Sequence, residues 1–92
     1  MTSVCVLGGG SWATALVKIL SNHADHVYWY IRNEESVEFI RQYRHNPNYL
    51  SDVDIDLQKV TPTVDLNQAI ASSPVVVLAI PAAFLKTALS GI

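Results

Sequence analysis

The residues best suited to chemistry are Gly8-Gly9-Gly10-Ser11-Trp12-Ala13, which follow the pattern G-x-G-x-x-G/A. Each fixed position has a mechanical reason in a turn that cradles a pyrophosphate. Gly8 permits a tight turn out of a strand. Gly10 lacks a Cβ, so phosphate oxygens can come close to the backbone. Ala13 is small enough for the following helix to pack tightly on that strand. The first N–H groups of the helix, and the positive end of its dipole, then face the phosphates. Alone, such a pattern is weak. Placed between a strand and a helix it is strong, and a purely structural glycine turn is the alternative. A P-loop is excluded, because Ala13-Thr14 stands where that motif requires Gly-Lys.

A dinucleotide site also needs a ribose contact near the end of the second strand. Glu34 lies about 20 residues past Ala13, the usual spacing for an acid that binds the ribose 2′-hydroxyl. It opens a helix, however, and an acid there is explained by the helix dipole. Arg32 is better placed, and a guanidinium suits a 2′-phosphate. The residues therefore favour NADP and leave NAD open; an ordinary solvated charge is the alternative reading of Arg32.

These residues need elements to hold them. Val4-Cys5-Val6-Leu7 is a continuous apolar run ending at Gly8, as expected for a strand buried on both faces of a parallel sheet. From Ser11 to Asn22 the period changes: Ala13, Leu16, Val17 and Leu20 form one face of an amphipathic helix. His26 to Ile31 reads as a second strand, and Glu34 to Arg44 as a helix with acids in its first turn. Asn46-Pro47-Asn48 is a turn. Val60 to Val64 is a short strand whose Pro62 cannot donate to a ladder, so it belongs at a sheet edge. A brief helix starts at Asp65 and runs through Ala71, Val75 to Ile80 is the most apolar strand, and Ala82 to Leu89 begins another helix. The order βαβαβαβα implies an α/β fold with a parallel sheet and right-handed crossovers. Strand order 3-2-1-4 puts the Pro62 strand at an edge.

Composition narrows the partners. The chain has 92 residues, half of them apolar, and six Lys and Arg against eight Asp and Glu leave a charge of −2. Disorder, a basic footprint for nucleic acid and a polybasic membrane patch are all excluded. Cys5 is the only cysteine, so there is no disulfide framework, and its place in an apolar run reads as inert packing. Asp52, Asp54 and Asp56 open like a calcium loop, but Leu57 and Thr63 stand where that loop needs Gly and Glu. Alternation of Val53, Ile55 and Leu57 with the acids reads instead as a half-buried edge segment. His23, Asp25 and His26 lack a fourth metal ligand and read as a solvated turn. Tyr28, Trp29 and Tyr30 read as strand packing, because the basic residues are scattered. No metal site is expected.

Val6 to Leu16, with its Gly-Gly-Gly-Ser-Trp-Ala-Thr-Ala-Leu core, resembles the opening of the bacterial NAD(P)-dependent glycerol-3-phosphate dehydrogenases. Val27 to Arg32, Asn46-Pro47-Asn48-Tyr49-Leu50 and Ile80-Pro81-Ala82 are similar to later segments of that family, in the same order. Ala13, Tyr30, Ser51 and Ala82 depart from its usual Gly, Trp, Pro and Ser. The resemblance implies a Rossmann-type doubly wound sheet, of which residues 1–92 are the N-terminal cofactor-binding half without the helical substrate domain. It implies Ser11, Trp12, Arg32 and Tyr49 as cofactor contacts beside Gly8, Gly10 and Ala13. Catalytic groups, including a Lys, are implied to lie outside these residues, so the piece alone is expected to be inactive. The whole enzyme would interconvert sn-glycerol 3-phosphate and dihydroxyacetone phosphate in the cytoplasm, for phospholipid synthesis. A regulatory NAD(H)-sensing module and a dehydrogenase of another hydroxy acid are the alternatives. Finally, strand Val75 to Ile80 carries no charge or proline to blunt it and is expected to support self-association.

Overall fold

Every apolar run that reads as a strand forms one, and each is short. In the computed structural model, which describes residues 3–46 and 54–79, the chain runs β1 (Val4–Leu7), α1 (Ser11–Ser21), β2 (Val27–Tyr30), α2 (Glu34–Tyr43), β3 (Val60–Thr63), α3 (Leu66–Ala71) and β4 (Val75–Leu78). The helix expected from Ala82 to Leu89, the turn and resemblance at Pro47 to Leu50, and Asp52 and Val53 lie outside the described residues.

All four strands are parallel, in the order β3-β2-β1-β4. Val4 to Leu7 stand opposite Val27 to Tyr30 on one side and Val75 to Leu78 on the other. Side chains alternate between the two faces. Val4, Val6, Val27, Trp29 and Val60 join Ala13, Val17, Val37 and Ile40 in the larger core under α1 and α2. Cys5 and Leu7 join Ala69 of α3 on the opposite face, with Tyr28, Tyr30, Leu66 and Ile70 packed around them. Helices on both faces explain why β1 is buried throughout and reads as an unbroken apolar run.

Pro62 sits on edge strand β3, opposite Trp29, and its carbonyl accepts a hydrogen bond from Arg41 of α2 at 3.0 Å. The Asp65 carboxylate caps α3 by accepting the Gln68 N–H, the capping role the sequence suggested for it, and the helix runs through Ala71 as expected. The half-buried alternation expected there holds from Asp54 to Leu57, with Ile55 buried between exposed Asp54 and Asp56, but residues 54–59 form no strand: the Ile55 N–H donates to the Arg44 carbonyl and not to a ladder.

The buried stripe of α1 also differs from the expected one. Ala13, Thr14, Val17 and Ser21 are buried, while Leu16 and Leu20 are only partly covered. Two hydroxyls can occupy this face because each is satisfied locally. Thr14 Oγ1 donates to the Gly10 carbonyl and Ser21 Oγ to the Lys18 carbonyl, both at 2.8 Å.

Candidate functional site

The turn from β1 to α1 emerges at the carboxyl end of the two central strands, where ligands bind in open α/β sheets. Gly8 has φ of 137°, a backbone region closed to residues with a Cβ except at a strain cost. Its N–H donates to the Tyr30 carbonyl, and its own carbonyl accepts the indole N–H of buried Trp29 at 2.6 Å. The turn is thus tied to β2 through both groups of Gly8.

Gly9 packs against the end of β2. A Cβ there would lie 3.0 Å from Ile31 Cγ2, closer than side chains normally approach. The sequence pattern leaves this position free, so the contact with Ile31 was not visible from it. Gly10 is the opposite case: among the described residues, chain neighbours apart, a Cβ would meet no atom within 4 Å. What Gly10 keeps clear is open space beside the described chain. It is also the N-cap of α1, and no side chain caps that helix or places an acid in its first turn. The first N–H groups and the dipole therefore stay available to an anion. Ser11 and Trp12 stand exposed beside this opening, Trp12 by 69%, and Ala13 is fully buried beneath it.

Arg32 follows Ile31, the residue against which Gly9 packs, and is exposed without a hydrogen bond or ion pair among the described residues. Glu34 lies in the first turn of α2, whose cap is Asn33 accepting the Ser36 N–H. It lines a groove of about 420 Å³ with Glu35, Glu38, Phe39, Gln42 and Tyr43, and three carboxylates make that groove a poor home for phosphate. Tyr49 lies outside the described residues.

Behind the turn sits a residue the sequence reading did not place in the site. Asn46 is 2% exposed, and its Nδ2 donates to the Gly9 carbonyl at 3.1 Å and to Thr14 Oγ1 at 3.0 Å. No local signal could have found it, because its partners are more than 30 positions away.

Other candidates have structural employment. Burial pushes the Cys5 thiol up to about 11, which removes the thiolate a nucleophile needs. His26 Nε2 lies 2.6 Å from Thr61 Oγ1 and the ring packs on Tyr28. Among the described residues there is no group of three or more His, Cys, Asp or Glu that could hold a metal, and no helix long and apolar enough to cross a membrane.

The family described as NAD-dependent glycerol-3-phosphate dehydrogenase N-terminus matches residues 3–92. The chain belongs to that family. Relatives of the chain include the glycerol-3-phosphate dehydrogenase [NAD(P)+] of Pseudomonas syringae pv. tomato, 37% identical over 95% of the chain and 25% of the relative. The enzyme of the same name from Nocardia farcinica is 38% identical over 99% of the chain and 26% of the relative. The chain thus spans about a quarter of the length of these relatives. The crystal structure of glycerol-3-phosphate dehydrogenase from Coxiella burnetii superposes with a TM-score of 0.75 at 21% identity, covering 84% of this chain and 23% of that one. That likeness supports the Rossmann-type fold with strand order 3-2-1-4.

Proposed function

We propose that this chain is the dinucleotide-binding part of an oxidoreductase that interconverts sn-glycerol 3-phosphate and dihydroxyacetone phosphate with NAD(P)(H), in the cytoplasm, for glycerophospholipid synthesis. The observation that carries the reading is Gly10, whose missing Cβ borders open space at an uncapped helix N-terminus in a chain of this family. The cofactor supplies hydride chemistry at its nicotinamide when bound. The residues of this chain bind and orient it. Gly8 sets the turn, Gly10 and Ser11 present backbone N–H groups, Ala13 lets α1 sit close to the sheet, and Trp12 and Arg32 border the opening. Tyr49 is assigned to the same site on the family resemblance alone. None of these groups moves a substrate proton, so the 92 residues by themselves are expected to bind cofactor without turnover.

Titration with NADPH and NADH, followed through tryptophan fluorescence, tests the reading directly. Exposed Trp12 is the reporter, and absence of binding by either dinucleotide overturns the proposal. Arg32 decides between the two cofactors. If its guanidinium meets the 2′-phosphate, Arg32→Asp weakens NADPH by about 1–3 kcal/mol and leaves NADH nearly unchanged. Equal losses for both would remove the 2′-phosphate from the assignment.

The free edge of β4 carries a second expectation. Val75, Val76 and Leu78 are exposed, and among the described residues only β1 pairs with this strand. An apolar edge without charge or proline is a template for another strand. The chain is therefore expected to self-associate through β4, and Val76→Lys to shift sedimentation towards monomer. A wild-type chain that sediments as a monomer at all concentrations would refute this.

A further inference from the structure

We propose that Asn46 is a positioning residue for the dinucleotide, holding the glycine turn so that its N–H groups face the phosphates. The inference rests on reading that turn as a phosphate cradle and adds the group that sets its shape.

The argument starts from the two hydrogens of the Asn46 amide. One goes to the Gly9 carbonyl and the other to Thr14 Oγ1. Thr14 Oγ1 passes its own hydrogen to the Gly10 carbonyl at 2.8 Å, which also accepts the Thr14 backbone N–H at 3.0 Å. The Gly9 carbonyl only accepts, so the amide nitrogen, and not the oxygen, must face it. A single buried side chain therefore fixes two consecutive carbonyls of the turn, one directly and one through a hydroxyl.

Fixing those carbonyls fixes the opposite side of each peptide. A trans peptide is planar, with its C=O and N–H pointing in opposite directions. The Gly9 carbonyl shares a plane with the Gly10 N–H, and the Gly10 carbonyl shares one with the Ser11 N–H. Drawing both oxygens towards Asn46 turns both N–H groups away from it. Glycines would otherwise populate many backbone conformations, so the chain needs such a restraint where Gly9 meets Gly10.

Asn46 reaches this place through a backbone device. Arg44 ends α2 in the left-handed conformation, φ 62° and ψ 31°, with its N–H on the Ile40 carbonyl and its own carbonyl on the Ile55 N–H. That reversal carries the next two residues back under the turn between β1 and α1.

The test compares Asn46→Ala, Thr14→Val and Thr14→Ser in the whole chain, with unfolding curves to establish that each folds. Removing either link is expected to weaken NADPH about tenfold, while Thr14→Ser keeps the hydroxyl and keeps the affinity. The Asn46→Ala, Thr14→Val pair should lose little more than the worse single variant, because both cut one path. In the ligand-free chain, amide order parameters of Gly9, Gly10 and Ser11 should drop from the rigid value of about 0.85 in Asn46→Ala, with those of β1 and β2 unchanged. A folded Asn46→Ala variant with a rigid turn and undiminished affinity overturns the inference, as does a Thr14→Ser variant as weak as Thr14→Val. If the wild-type chain binds no dinucleotide, the functional reading falls, and the order parameters still decide whether Asn46 shapes the turn.

Discussion

Gly10→Val should abolish binding of NADPH and NADH alike while leaving a cooperatively folded chain. The backbone at Gly10 has φ −83° and ψ −172°, an extended conformation that a β-branched residue adopts without strain. Among the described residues, chain neighbours apart, no atom lies within 4 Å of the new Cβ, so the fold offers it room. Two small effects on stability oppose each other: valine restricts the unfolded chain, and it is a poorer N-cap than glycine. Each is worth up to about 1 kcal/mol. The ligand fares differently, because the isopropyl group fills the space through which a phosphate reaches the first N–H groups of α1. Losing those charge-assisted bonds should weaken either dinucleotide by at least about a hundredfold. Fluorescence titration and urea unfolding of the same variant separate the two effects. Retained affinity in a folded Gly10→Val chain would mean that the phosphates bind elsewhere. Gly9 makes the contrast sharper, since a Cβ there would sit 3.0 Å from Ile31 Cγ2 and Ile31 would have to give way.

The sequence made the sheet legible because parallel strands buried on both faces have a plain signature. Val4 to Leu7 is the clearest case, and its burial is complete. The place of β3 followed from one residue: Pro62 has no N–H to give, and the strand lies at the edge with Arg41 bonded to its carbonyl. Strand ends were less legible. His26 and Ile31 fall outside β2, although Ile31 still bonds to β3 through the Thr63 carbonyl.

What hydropathy could not show was polar burial. Leu16 and Leu20 outrank Thr14 and Ser21 on any apolar scale, yet the two hydroxyl residues take the inner face of α1. Their hydrogen bonds close within one helical turn, which removes most of the cost of burying them. Asn46 was hidden for a related reason. A buried amide is tolerated only where the fold supplies partners, and its partners, Gly9 and Thr14, come from the junction of β1 and α1, more than 30 positions earlier in the chain. The motif pointed to the turn as a candidate phosphate site, and gave no sign of the Asn46 contacts behind it.

Trp29 joins both kinds of information, and its replacement should cost the most stability. It is the largest fully buried side chain, shared with Ala13, Val17, Ile31 and Val37 in the main core. Trp29→Ala removes that volume and should destabilise the chain by about 3–5 kcal/mol, a large part of the roughly 5–15 kcal/mol that folded domains possess. Trp29→Phe is the finer probe. It keeps an aromatic ring in the core but takes the indole N–H from the Gly8 carbonyl, leaving a buried acceptor without its donor. The expected loss is about 1–3 kcal/mol, read as a lower urea midpoint. The effect should not stop at stability. Gly8 is the residue whose 137° φ begins the turn, so freeing its carbonyl loosens the cradle and weakens NADPH as well. The variant also leaves Trp12 as the only tryptophan of the two in the chain, so its fluorescence reports the opening beside α1 alone. An unchanged urea midpoint for Trp29→Phe would show that the bond contributes nothing to the fold. An unchanged NADPH affinity in that variant would show that the turn keeps its shape without being tied to β2.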